Sequence, residues 1–149
     1  MWHRLAITDD LTGVYNRTAY NLHMEKMKRG DLKGPCAIIL FDIDGFKQIN
    51  DTLGHFEGDK ILKMVGKLLS EVFFASNYRV FRIGGDEFAV VVEHLNEDDM
   101  IHLLIVLREQ LAKNGDIRLS KGYSVVKKSV DKAFREADEM LYADKATKR

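Results

Sequence analysis

Several things are scarce in this sequence, and each scarcity removes a class of function. Cys36 is the lone cysteine among 149 residues, so no internal disulfide can form. Its neighbours Ala37, Ile38 and Ile39 are apolar, which marks it as a small core residue rather than a nucleophile. Neither sign of charge is in excess: Lys plus Arg and Asp plus Glu are both 23, for a net charge of zero. No global basic field exists, and with it goes the electrostatic basis for non-specific nucleic-acid binding. Any phosphate recognition must be local. No apolar run approaches the ~18 residues that span a membrane, and Met1-Trp2-His3-Arg4 does not open a signal peptide. A cytoplasmic chain without a membrane segment is expected. Repeats and low-complexity tracts are missing as well. Residues 1–149 therefore read as one domain, with 1–9 a lead-in, the end of a helix arriving from an upstream region. A hydrophobic content of 46% and this length suffice for a real core.

What is present centres on Arg82-Ile83-Gly84-Gly85-Asp86-Glu87-Phe88. The apolar runs on either side, Tyr78 to Ile83 and Phe88 to Val92, are rich in β-branched and aromatic residues, the pattern of a hairpin. Gly84 and Gly85 are expected to give the turn its positive φ. Two carboxylates at a hairpin tip repel each other, and stability gives no reason to put them there. A divalent cation does, because hard cations take oxygen ligands. The alternative is a solvated acidic turn. A second acid pair shifts the balance: Ala37 to Phe41 reads as a buried strand ending in Asp42-Ile43-Asp44-Gly45. Period-two alternation puts Asp42 and Asp44 on one side of it. One carboxylate pair after a strand and another in a hairpin turn can assemble a two-metal phosphoryl-transfer site.

The remaining elements follow from periodicity and caps. Thr18 to Lys28 carries a helical stripe of Ala19, Leu22 and Met27, ending at Arg29-Gly30. Phe46 to Asp51 is a short helix, followed by a loop from Gly54 to Gly58. Asp59 is expected to cap the longest helix, which buries Ile61, Leu62, Val65, Leu68, Leu69 and Val72. Asn96 caps the next, with three acids in its first turn, and that helix stops at Asn114-Gly115. Ile117 to Val126 is a strand, and Ser129 caps a last helix with Val130, Ala133, Phe134, Ala137, Met140 and Leu141 inward.

Taken together, Asp10-Leu-Thr-Gly-Val-Tyr-Asn-Arg17, Phe41-Asp-Ile-Asp-Gly-Phe-Lys-Gln-Ile-Asn-Asp51, Gly54-His-Phe-Glu-Gly-Asp59, Arg82–Phe88, Ala137-Asp138, Leu141-Tyr142 and Lys145 resemble the GGDEF domains of bacterial diguanylate cyclases. The resemblance runs from about Leu5 to the last residue. It implies an α/β (α+β) fold, a mixed, largely antiparallel central sheet covered by helices, as in the palm-like nucleotidyl cyclases. It also implies a reaction in which two GTP molecules, held across a homodimer, condense to cyclic di-GMP and pyrophosphate. Two Mg²⁺ ions per site are implied, with Mn²⁺ a substitute, held by Asp42, Asp86 and the carbonyl of Ile43. Asp86 matches the base for the attacking hydroxyl, although the metal itself can activate that group. Glu87 supports the metal site or terminates the turn.

Asn50 and Asp59 match the guanine readers, since a carboxylate can accept both hydrogens of the N1–H and N2 edge. His55 matches a place near the base or ribose, or else is a loop histidine bonded to backbone. Lys47 and the amides around Phe46 match a phosphate-binding turn. Lys145 and Arg149, four apart on the last helix, match a triphosphate clamp or else form a solvated basic tail. The resemblance further implies an upstream sensor or dimerisation domain.

Three departures stand out. Ala75 and Tyr78 occupy the positions of the usual Arg-x-x-Asp product-inhibition site, so that site should be absent. Lys121 stands where an apolar residue is usual between Ser120 and Gly122, and either snorkels or displaces the strand. The segment from Gly122 to Ala137 is shorter than usual. A second reading survives all of this: a non-catalytic GTP-binding module that signals through protein contacts.

Overall fold

A computed structural model of the protein describes residues 6–148. In chain order they form α1 (Arg17–Lys28), β1 (Cys36–Ile43), α2 (Phe46–Leu53), α3 (His55–Val72), β2 (Tyr78–Arg82), β3 (Glu87–Val92), α4 (Glu97–Lys113), β4 (Leu119–Val126) and α5 (Val130–Ala146). The sheet has the order β2-β3-β1-β4, and each neighbouring pair is antiparallel. Parallel pairing is confined, among the described residues, to an isolated bridge between Tyr15 and Phe81.

Strand β1 is apolar up to Asp42 because both of its faces are covered, and all eight of its residues are buried. Ala37, Ile39, Phe41 and Ile43 point into one cluster with Leu62, Val65 and Leu69 of α3 and Met100, Leu104 and Leu107 of α4. Ile38 and Leu40 point the other way, against Tyr20 and Met24 of α1 and Val130, Ala133 and Ala137 of α5. Helix α5 lies close to β4. A Cβ built on Gly122 would stand 2.0 Å from the carbonyl oxygen of Ala137 and 2.3 Å from the amide nitrogen of Leu141. Only glycine permits that approach, and it brings the end of α5 to the end of β1.

The cap residues act as expected: Asn96 accepts from the Asp99 amide, Ser129 from that of Lys132, and α4 ends at Asn114 before Gly115 at φ +95°. Other expectations need correction. The span from Gly54 to Gly58 is not a loop. Gly54, at φ +91° and ψ 164°, is a one-residue elbow that ends α2 and starts α3 at His55. A backbone state closed to L side chains makes the turn that a longer loop was expected to make. Asp59 is consequently the fifth residue of α3 and not its cap. Neither Gly84 nor Gly85 has a positive φ. Gly84 is small for another reason, since a Cβ there would lie 3.3 Å from the Glu87 side chain.

Leu22 and Met140 are exposed, while His23 and Met24 take the inward positions of α1. Lys121 does not displace its strand, because β4 pairs with β1 over its full length with Lys121 opposite Phe41. Of the lead-in, residues 6–9 are not helical: Thr8 bridges Tyr15, and Asn16 bonds back to Ile7.

Candidate functional site

Asp42 is the penultimate residue of β1 and stands opposite Glu87 in β3. That register carries Asp86, the last residue of the turn, alongside it; the Ile43 amide donates to the Asp86 carbonyl at 3.2 Å. Asp42 is only 7% exposed. One of its oxygens, Oδ2, takes the ammonium of Lys145 from α5, and the other, Oδ1, is buried without a partner among the described residues. The Asp86 carboxyl is pushed up to about 6, first by burial, then by the neighbouring Asp42 carboxylate and by the charge of Glu87. Two carboxylates this close cannot both ionise without cost. The Lys145 ammonium is correspondingly held above its usual range, chiefly by the bond to Asp42.

This donor set fits a hard cation. An orphaned buried carboxylate oxygen, a neighbouring acid whose ionisation is made costly and a lysine drawn in as counter-charge all report unmet negative charge. Among the described residues no group of three or more His, Cys, Asp or Glu side chains converges. Mg²⁺ does not need one, since it is commonly held by one or two carboxylates and completes its shell with water and substrate phosphates. In front of the acids lies a cavity of about 420 Å³ lined by Ile43, Phe46, Lys47, Gln48, Asp86 and Lys145, among others. Gly45, at φ +67°, turns the chain from β1 directly into α2 there.

The residues expected around the base sit apart from this cavity. Asn50 lies on α2 against Gly58 of α3, where an added Cβ would come 1.8 Å from Asn50 Oδ1 and 3.3 Å from Phe46 Cζ. Asn50 Oδ1 is buried and without a partner among the described residues. Asp59 follows Gly58 and is exposed, as is His55 at the first position of α3, so His55 is not in a loop. Phe46 thus stands between the two halves of the site. Arg149 lies outside the described residues. Glu87 closes the turn through its main chain: its carbonyl accepts from Ile83 at 2.9 Å and from Gly84 at 3.3 Å. Ala75 and Tyr78 offer neither cation nor carboxylate, and the Tyr78 ring packs on Phe73 instead.

Some of the scaffolding escaped sequence reasoning. Arg82 donates from Nη2 to the Gly85 carbonyl at 2.8 Å and from Nε to those of Gly84 and Gly85, while Nη1 pairs with Asp9 at 3.2 Å. Asp9 also accepts from the amide and hydroxyl of Thr12. Burial pushes the Asp9 carboxyl up, but the bonds from Thr12 and Arg82 outweigh it and hold the group below its ordinary value. Arg17 reaches the Ile83 carbonyl at 2.8 Å. The acidic turn is therefore pinned from α1 and from the segment before it. The Asp9-x-x-Thr12 spacing of a side-chain-capped turn was the available signal. On the other flank Lys148 bonds Asp44 at 2.9 Å, the Leu119 carbonyl at 3.0 Å and Ser120 at 3.2 Å.

Known proteins share this fold. The family model described as "Diguanylate cyclase, GGDEF domain" matches residues 6–149. An uncharacterized membrane protein of Staphylococcus aureus strain USA300 is 32% identical over 152 residues, covering 92% of this chain and 42% of its own length. The chain thus spans less than half the length of that curated relative. The GGDEF domain of DgcB from Caulobacter crescentus, solved in complex with c-di-GMP, superposes with a TM-score of 0.85 at 28% identity, covering 100% of this chain and 93% of its own. The active GGEEF domain of a diguanylate cyclase from Vibrio cholerae gives a TM-score of 0.75 at 30% identity over 89% of this chain and 91% of its own.

Proposed function

The chain belongs to the GGDEF family of diguanylate cyclase domains, and from that premise we propose that this member is catalytic, condensing two GTP to cyclic di-GMP and pyrophosphate. The observation that carries the reading is the close Asp42–Asp86 pair, with the buried, unmatched Asp42 oxygen and the raised Asp86 carboxyl. Such a pair is destabilising by itself and becomes useful when a cation replaces the proton. Asp42, Asp86 and the Ile43 carbonyl would hold Mg²⁺ or Mn²⁺, which when bound supplies charge neutralisation for the triphosphate and lowers the cost of a departing pyrophosphate. Lys145 and Lys47 then turn to the phosphates, with Arg149 a further candidate. Asn50 Oδ1 and the Asp59 carboxylate accept from the N1–H and N2 edge of guanine, an edge that adenine lacks, and His55 borders the base or ribose. Asp86 would accept the proton from the attacking hydroxyl, whose acidity a bound cation would raise, and Glu87 supports the turn beside it.

One domain presents one such site, so two copies must face each other for the bonds to form. An upstream dimerising or sensor region would bring them together. No described helix is long and apolar enough to cross a membrane, while the staphylococcal relative is named a membrane protein. We therefore place this domain on the cytoplasmic side of a larger sensor. With Ala75 and Tyr78 in place of the usual pair, product should not shut the enzyme down at that site.

The Lys145–Asp42 contact favours a second reading, in which the lysine never yields to a metal and the domain binds GTP only to signal. The deciding experiment fuses the domain to a dimerising coiled coil, adds GTP and Mg²⁺, and separates the nucleotides by chromatography. Cyclic di-GMP that vanishes in Asp86→Ala supports catalysis. GTP bound but unconverted supports the signalling module.

A further inference from the structure

Away from the acid pair, between α4 and β4, lies a cleft of about 250 Å³ that shares no lining residue with the cavity in front of Asp86. Its walls are apolar: Phe41, Leu104, Leu107, Leu111, Ile117 and Leu119. Its polar lining is cationic, from Arg108, Arg118, Lys121 and Lys148, against the single acid Asp116. Asp116 is already engaged by Arg118 at 3.5 Å. Lys121 is the unusual member. It faces the same side of the sheet as Phe41, its partner across β1 and β4, and so lies half-buried against the apolar layer. Only its main-chain amide is bonded, to the Asp144 carboxylate at 2.9 Å; among the described residues its ammonium has neither a hydrogen bond nor an ion pair. Asp144 is in turn shared with Lys148 at 3.6 Å. Burial, and then the charge of Arg108, draw the Lys121 ammonium below its usual range.

A half-buried, unpaired ammonium beside a guanidinium is a poor way to line an apolar cleft unless an anion belongs there. We propose that this cleft is a ligand site for a compact organic anion, a carboxylate on an apolar body, with the acid between Lys121 and Arg108 and the body against Leu104, Leu107 and Leu111. The volume, at the small end for ligand pockets, limits the body to about one ring or a short chain. The site is independent of GTP and metal. Lys121 and Arg108 provide the charge, while the leucines provide the contact that makes a carboxylate on a greasy body preferable to inorganic anions.

The test titrates the isotopically labelled domain with 4-phenylbutyrate and, separately, with its neutral counterpart 4-phenylbutan-1-ol, following amide shifts by NMR. Saturable binding of the acid is expected, with shifts centred on α4 and β4 and at least a tenfold weaker response to the alcohol. Lys121→Met and Arg108→Glu should each weaken the acid at least fivefold, and Asp86→Ala should leave it unchanged. Lys121→Met puts an apolar residue at a position already against the apolar layer, so its fold should hold, and the undisturbed amide spectrum checks this. Acid and alcohol binding equally, no saturable binding of either, or acid binding indifferent to both charge variants would each overturn the proposal. None of these readouts depends on cyclase activity, so this proposal and the catalytic reading fail separately.

Discussion

The two halves of the candidate site differ in how they are held. The acid half, Asp42, Asp86 and Lys145, sits where β1, the hairpin turn and the end of α5 meet, in a crowd of charge that is partly buried and internally unbalanced. The base half, Asn50, His55 and Asp59, lies on two helices joined at Gly54, and two of its three side chains are exposed. One half stores electrostatic tension that a cation would release; the other stores one oxygen without a partner among the described residues, Asn50 Oδ1. On the proposed reading, catalytic force and substrate identity are thereby built from different materials in neighbouring places. Mutations should separate them.

The largest effect is expected in the acid half. Asp42→Ala or Asp86→Ala should lower the initial rate of cyclic di-GMP formation by about 10³-fold or more, because the charge on the transferring phosphoryl group loses its counterweight. A loss under tenfold would show that the pair is not where the chemistry occurs. Next comes the scaffold that brings α5 to the acids. Gly122→Ala forces a methyl into the backbone of α5, and calorimetry should show a loss of about 3 kcal/mol or outright unfolding.

The base half should behave differently. Asn50→Leu removes an oxygen that has no partner among the described residues, so stability should barely move while GTP affinity drops about tenfold, as a fluorescent-analogue titration would show. Gly58→Ala, which drives a methyl into Asn50 Oδ1, should mimic that loss of affinity with the Asn50 side chain still present.

The smallest effect concerns the proton on Asp86. Metal-free, folded Asp86 keeps a proton up to about pH 6, whereas the unfolded chain releases it near 4. The folded state therefore binds more protons in that window, and stability falls as pH rises through it. Asp86→Asn should flatten this slope and raise the melting temperature of the metal-free domain near neutral pH by about 3 °C, equivalent to about 1 kcal/mol after allowing for solvent screening. The wild type should gain stability on adding Mg²⁺ and Asp86→Asn should gain much less. Equal stabilisation of both would separate the cation from the pair.

Much of the chain could be read from one-dimensional patterns. Caps at Asn96 and Ser129, the hairpin runs and the continuous apolar stretch of β1 declare themselves, because each depends on neighbours in sequence. The acids of the site could be read for the same reason, as pairs following a strand and closing a turn. Gly54 was misread because one residue in an unusual conformation can replace a loop, and composition does not distinguish the two. Asp9, Arg82 and Arg17 were passed over because their partnerships join parts of the chain more than sixty residues apart, and no local pattern records such a bond.

By itself, then, the sequence determined which elements form, which family the motifs resemble and which side chains carry charge. Tertiary structure decided which charges go unanswered. The orphaned Asp42 oxygen, the raised Asp86 carboxyl and the unpaired Lys121 ammonium are properties of burial and distance, and these exist only once α5, β4 and the hairpin have closed on β1.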